Sequence, residues 1–163
     1  MAAWREVVES EPEFAARVQA IMDAHRHKTI ATLRADGSPR ISGIEASFVG
    51  GQLWFGSMPD ARKGHDLRRD PRFALHSASE DPPTGEESRW AGDAKLSGSA
   101  VLITDPDEFT AALQVLGVPP DEGSDLFHAD IREVVVTRVG DPPDHLVIEL
   151  WRPQRPLHRI ERR

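Results

Sequence analysis

The chain has 163 residues, no cysteine and a formal net charge of -7. Its length is that of about one domain, and the missing thiols rule out disulfides, thiolate nucleophiles and cysteine-ligated metals. The acidic balance argues against a general nucleic-acid binder, which needs surplus Lys and Arg on one face. No apolar run reaches the roughly 18 residues of a membrane helix, and the charged start Met1-Ala-Ala-Trp-Arg-Glu is unlike a signal peptide. A single domain over residues 1–163, in the cytoplasm, is the expectation.

Phe14, Val18, Ile21 and Met22 recur at helical spacing and Pro12 suits a first turn, which predicts a helix over about 11–27. A first strand is expected over 29–33, with Asp36-Gly37 as a hairpin turn. A second covers 40–49, and Gly50-Gly51 turns the chain into a third at 52–57. Pro59-Asp60 then opens a short helix over about 61–69 that must end before Pro71, and a fourth strand follows at 72–77. Residues 79–92 are acidic, turn-rich and short of apolar side chains, so a mobile loop is expected there. Leu96, Val101 and Ile103 mark a long strand over 94–104. Asp105-Pro106-Asp-Glu opens a helix ending near Gly117, its acidic first turn favoured by the helix dipole. A loop at 119–123, strands at 131–139 and 145–151, and a candidate last strand at 157–160 complete the chain. The sum is mainly β: six or seven mostly antiparallel strands forming a barrel, with about three helices outside.

Chemistry concentrates after the third strand. Arg62 and Lys63 fall in the first turn of a short helix, where backbone N–H groups are free to bind an anion. Two cations there gain charge-assisted hydrogen bonds to a phosphate; the alternative for such a pair is a solvated helix face. His65 is adjacent and could assist. No metal site is expected: His25 and His27, two apart, point away from each other on a helix. His128 and Asp130 stand ahead of an expected strand as surface or interface residues. No Ser-His-Asp or paired-carboxylate constellation is readable, which suits a protein whose cofactor performs the chemistry. The tryptophans at 4, 54, 90 and 151 read as core or interface residues, with Trp90 a candidate to cover a ring.

Taken in order, Asp36-Gly37-Ser-Pro39-Arg40, Leu53-Trp54-Phe55, Arg62-Lys63-Gly64 with Leu67 and Asp70-Pro71, and Lys95-Leu-Ser-Gly98-Ser-Ala form a pattern. It resembles the FMN-binding split-barrel proteins that include pyridoxamine 5′-phosphate oxidase, over about 28–104 with a continuation through 131–151. The resemblance implies a Greek-key-like split β-barrel and a homodimer with FMN-type sites at the subunit interface. It places Arg62 and Lys63 on the flavin phosphate, Arg40 on the flavin, and Ile41, Ser42, Gly43 and Ile44 along the ring. Ser57 falls beside the phosphate or ribityl chain.

Departures narrow the expectation. Glu45 stands where the oxidase has a substrate-contacting lysine, Asp93 where it has a glutamine, and the chain contains no tyrosine to clamp the substrate. Pro156-Leu157-His158-Arg159 resembles only part of the oxidase's terminal basic stretch. Vitamin B6 oxidation is therefore not expected. The expected function is FMN-dependent hydride transfer to or from a small organic substrate, with no catalytic side chain assigned and no nucleic-acid or membrane partner. One alternative is a reductase using the deazaflavin coenzyme F-420. The Ala-, Arg- and Asp-rich composition, actinobacterial in character, favours it, and Arg68, Arg69 and Arg72 would extend the site towards its polyanionic tail. Another alternative is a non-catalytic flavin- or haem-binding module.

Overall fold

Strict alternation of buried and exposed side chains along four consecutive strands bends the chain into a closed ring. In a computed structural model that describes residues 2–119 and 123–163, the chain begins with α1 (Trp4–Ser10) and α2 (Pro12–Asp23). The meander β1 (His27–Leu33), β2 (Pro39–Val49) and β3 (Gln52–Ser57) leads to α3 (Arg62–Arg69). Then come β4 (Arg72–His76), β5 (Asp93–Leu102), α4 (Pro106–Leu116), β6 (Asp125–Val139), β7 (Leu146–Trp151) and β8 (His158–Arg162). All pairings are antiparallel, in the order β3-β2-β1-β4-β5-β6-β7-β8, and an additional β3–β6 pairing closes six strands into a barrel. The β7–β8 hairpin extends the sheet beyond the ring along the second half of β6.

Period-two patterning explains the ring. Ile30, Leu53, Phe55, Phe73, Leu75, Leu96, Phe127 and Val134 point inward and are buried. Phe55 lies at the centre, stacked on Phe127 at 5.8 Å and edge-on to Phe73 at 5.1 Å between ring centroids. Helix α2 lays Phe14, Val18 and Met22, one face at i, i+4 and i+8, against β5 and β6. Arg17 on the same helix reaches both oxygens of the buried Glu149 at 3.0 and 3.1 Å. Both expected turns form, with Gly37, Gly50 and Gly51 at positive φ.

The barrel expected from the sequence is present, with eight strands rather than six or seven and four α-helices rather than three. Helix α1 is the addition. It has no Ser, Thr or Asp cap, but the Glu6 carboxylate accepts the Ala3 N–H at 2.9 Å, and Trp4 and Val7 bury the face at i, i+3. The first long helix spans Pro12–Asp23 rather than 11–27, leaving His25 and His27 outside it. Strand β6 starts at Asp125 rather than Ile131, so His128 and Asp130 lie within it. The last strand is His158–Arg162, and a 3-10 turn at Glu87–Arg89 interrupts the acidic segment. The loop expected at 119–123 falls partly outside the described residues. Among the described residues no helix is long and apolar enough to cross a membrane.

Candidate cofactor cleft

The site is built outward from α3. Ala61 is extended and Arg62 and Lys63 enter the first turn; the helix ends at Asp70, whose φ of -134 and ψ of 105 leave the helical region as a residue before proline does. Gly64 lets the helix approach the sheet. A Cβ there would lie 2.6 Å from Asp125 Oδ2 and 2.7 Å from Ser57 Oγ, far inside contact distance.

Two buried carboxylates hold α3 in place. Asp66 accepts hydrogen bonds from Thr32 on β1 at 2.9 Å, Arg40 on β2 at 2.6 Å and Arg69 at 3.3 Å. Burial opposes the charge on Asp66, but these donors outweigh it and hold the carboxyl below its ordinary range. Asp125, opening β6, is 8% exposed and accepts from both Nε and an Nη of Arg68.

Beside this anchor lies a cleft of about 440 Å³. Its floor is the outward face of β2 and β3, including Gly43, Glu45, Ser47, Trp54 and Gly56. Gly43 to Ser47 spans about 13 Å of extended strand, long enough for a fused-ring ligand lying along it. Lys63, Ser57 and Asp125 define the polar end, where Lys63 Nζ donates to the Gly43 carbonyl at 3.1 Å. The opposite wall is apolar. Phe109, Leu113 and Leu116 of α4, at i, i+4 and i+7, join Trp54 and Leu126 over a small second core.

Of the eight residues expected at a site, the structure brings Gly43, Ser57 and Lys63 together in this cleft. Ser57 is buried and Lys63 half-buried. The other five do not line it. Arg40 is held by Asp66. Ile41 is 76% exposed on the outer face of β2, and Ser42 is half-buried on the inward side. Arg62 is exposed, and its side chain has no hydrogen-bonding or ionic partner among the described residues. His65 is exposed, 3.9 Å from Asp60. Trp54 rather than Trp90 stands in the cleft; Trp90 lines a separate hollow with Ile21 and His25.

The arginines expected to extend a basic groove are each engaged: Arg68 by Asp125, Arg69 by Asp66 and the Leu33 carbonyl, and Arg72 by Asp70. The Arg72 guanidinium pulls the Asp70 carboxyl down to about 2. Sequence reasoning missed Asp66, Asp125 and the α4 wall. For α4 the signal was present in the Phe109, Leu113, Leu116 spacing.

The cleft floor has room for the flat ring of a flavin-type cofactor. A Cβ built on Gly43 meets nothing within 4 Å, so the lack of a side chain there is what leaves the floor bare. A family model for pyridoxamine 5′-phosphate oxidase matches residues 14–138, most of helix α2 and, but for Val139, the barrel strands.

The chain belongs to the pyridoxamine 5′-phosphate oxidase family.

Solved structures of similar fold include a pyridoxamine 5′-phosphate oxidase-related, FMN-binding protein from Nostoc punctiforme. It is 16% identical, with all of this chain and 98% of that one covered, at a TM-score of 0.60. A heme-binding protein from Mycobacterium smegmatis is 17% identical over 88% of this chain and 56% of that one, at 0.55. An F420 reductase is 15% identical over 71% of this chain and 94% of that one, at 0.50. At these identities the likeness is one of fold. A comparison with curated protein sequences gives no match. Arg62 and Lys63 begin α3, Glu45 stands on β2, and the chain contains no tyrosine.

Proposed function

We propose that this member of the pyridoxamine 5′-phosphate oxidase family is an FMN-binding oxidoreductase acting on a small organic substrate, and that it works as a homodimer. The observation that carries the reading is the convergence of Lys63, Ser57 and the bare Gly43 floor at the start of α3. Lys63, the first-turn amides and the exposed Arg62 hold the phosphate, and Ser57 offers its hydroxyl to the same end. Gly43 and Gly56 leave the floor flat for the ring, and the α4 wall keeps water from it. The bound flavin supplies the hydride chemistry. Arg40 acts through Asp66, fixing α3 and with it the position of Lys63.

Two further observations support this form of the proposal. The engagement of Arg68, Arg69 and Arg72 by carboxylates leaves Arg62 and Lys63, but no longer run of unpaired cations among the described residues of α3 and the start of β4, for a polyanionic tail, which favours FMN over the deazaflavin. A flat row crosses four strands on the outer face, Ile41–Ala31–Ala74–Ser97, each paired in register with the next. Ile41 on that row is 76% exposed, as suits a surface covered by a second copy. Sedimentation velocity should give twice the chain mass, with Ile41→Asp shifting it towards the monomer; a wild-type monomer at micromolar concentration counts against the dimer.

The deciding experiment is a fluorescence titration with FMN and, in parallel, with the deazaflavin. Micromolar FMN binding, weakened about tenfold or more in Lys63→Ala, is the expected result. Absent binding, or an unchanged affinity in the variant, overturns the reading.

A further inference from the structure

The cleft carries an imbalance of charge that bears on what it admits beside the cofactor. This inference rests on the FMN reading and concerns the substrate of the same site. Among the described residues that line the cleft, the charged groups are Lys63, Glu45 and Asp125, with His27 at the rim. Lys63 is committed to the phosphate end. Asp125 is balanced by Arg68. That leaves Glu45, on the outward face of β2 between Gly43 and Ser47, as the carboxylate facing any second molecule.

Three basic side chains, Arg26, His27 and Lys28, stand near Glu45, and none holds it firmly. Arg26 Nε lies 2.9 Å from Oε2, but the Arg26 side chain is 76% exposed, so solvent screens the pair and it holds Glu45 only weakly. His27 Nε2 is 3.6 Å from Oε1 and its side chain is 77% exposed. Lys28 turns inward instead: it is buried in the barrel, and Nζ donates to the Arg26 and Ala46 carbonyls. A cationic ligand can therefore replace Arg26 at the carboxylate. An anionic one meets Glu45 and the cofactor phosphate with no lining cation left to pair with. The rest of the wall is Trp54, Phe109, Leu113 and Leu116, which receives apolar and aromatic surface.

We infer that the cleft selects uncharged or cationic aromatic substrates and rejects carboxylates and phosphates, with Glu45 as the specificity-determining residue. Glu45 shares the floor on which the ring is proposed to lie, and its carboxylate acts on the molecule that enters beside the cofactor.

The test uses FMN-loaded protein and three bicyclic aromatic probes of matched size: quinoline (neutral at pH 7), N-methylquinolinium and 2-naphthoate, with affinities read by calorimetry. The cation should bind at least as tightly as quinoline, and 2-naphthoate about fivefold more weakly. The discrimination should shrink as salt is raised from 0.02 to 0.5 M, roughly as the Debye length contracts. Glu45→Gln should erase the ranking, and Glu45→Lys should invert it. Equal or tighter binding of 2-naphthoate to wild type, an unchanged ranking in Glu45→Gln, or no binding of any probe overturns the inference. FMN affinity is measured first on each protein. Its absence in the wild type sinks the cofactor reading alone, and the same probe series on the chain without FMN then decides the role of Glu45.

Discussion

Gly43 is defined by what it lacks. Because its missing Cβ would stand in open space above the cleft floor, Gly43→Val places a branched side chain where the ring is proposed to lie, and its Cβ strikes nothing in the protein. A mid-strand position favours valine over glycine, so the fold should keep its stability or gain up to about 1 kcal/mol. FMN affinity should fall at least about tenfold in a fluorescence titration, and an unchanged affinity would put the cofactor elsewhere. Gly43, Ser57 and Lys63 were legible in the sequence because they lie within one continuous segment of turns and strands. Asp66 and Asp125 were not. Each matters through a guanidinium 26 or 57 positions away in the chain, Arg40 or Arg68, and no local pattern announces such a pair.

Among the elements, α3 depends most on electrostatics, since only Leu67 contributes a large apolar side chain to the core while Asp66 is buried among donors. Burial alone would raise the Asp66 pKa; the hydrogen bonds from Arg40, Thr32 and Arg69 reverse that, so the folded value lies below that of an ordinary aspartate. A carboxyl depressed on folding contributes stability above its unfolded pKa and loses it as pH falls through the folded value. Urea melts should therefore show stability steady near neutrality and falling below about pH 4. Asp66→Asn should be less stable by about 2 kcal/mol at pH 7, because it takes the charged acceptor from the half-buried Arg40 and from Arg69, and should lose less on acidification. Equal slopes for the two proteins would remove Asp66 from the acid response. The elements missed at first reading have physical reasons of their own. Helix α1 is capped by Glu6 from inside rather than by a Ser or Asp before it. The first residues of β6 include Asp125 and Asp130, poor strand formers, held extended by β3 at Asp125 and by β5 at Asp130.

For the whole molecule, the barrel was readable because period-two strands, glycine turns and short helices followed one another in an order that few architectures accept. What the order did not show was the double use of β6, whose first half seals the ring while its second half carries β7 and β8. That seal has a kinetic consequence. Trp54 and His128 face each other across the closing seam although more than seventy positions separate them in the chain. The seam is the costliest contact to bring together, since loop-closure entropy must be spent before it repays anything. The β1–β2–β3 meander can assemble from neighbouring segments while the last gap stays open. In a stopped-flow refolding experiment, the far-ultraviolet signal of the sheet should develop ahead of the Trp54 fluorescence change, with Trp54 as the only tryptophan retained. Coincident traces would mean that the ring closes as it forms. If the lag is found, the wall that shelters a ligand is also the last surface this chain completes, and a flavin present during refolding would meet its site only at the end of the process.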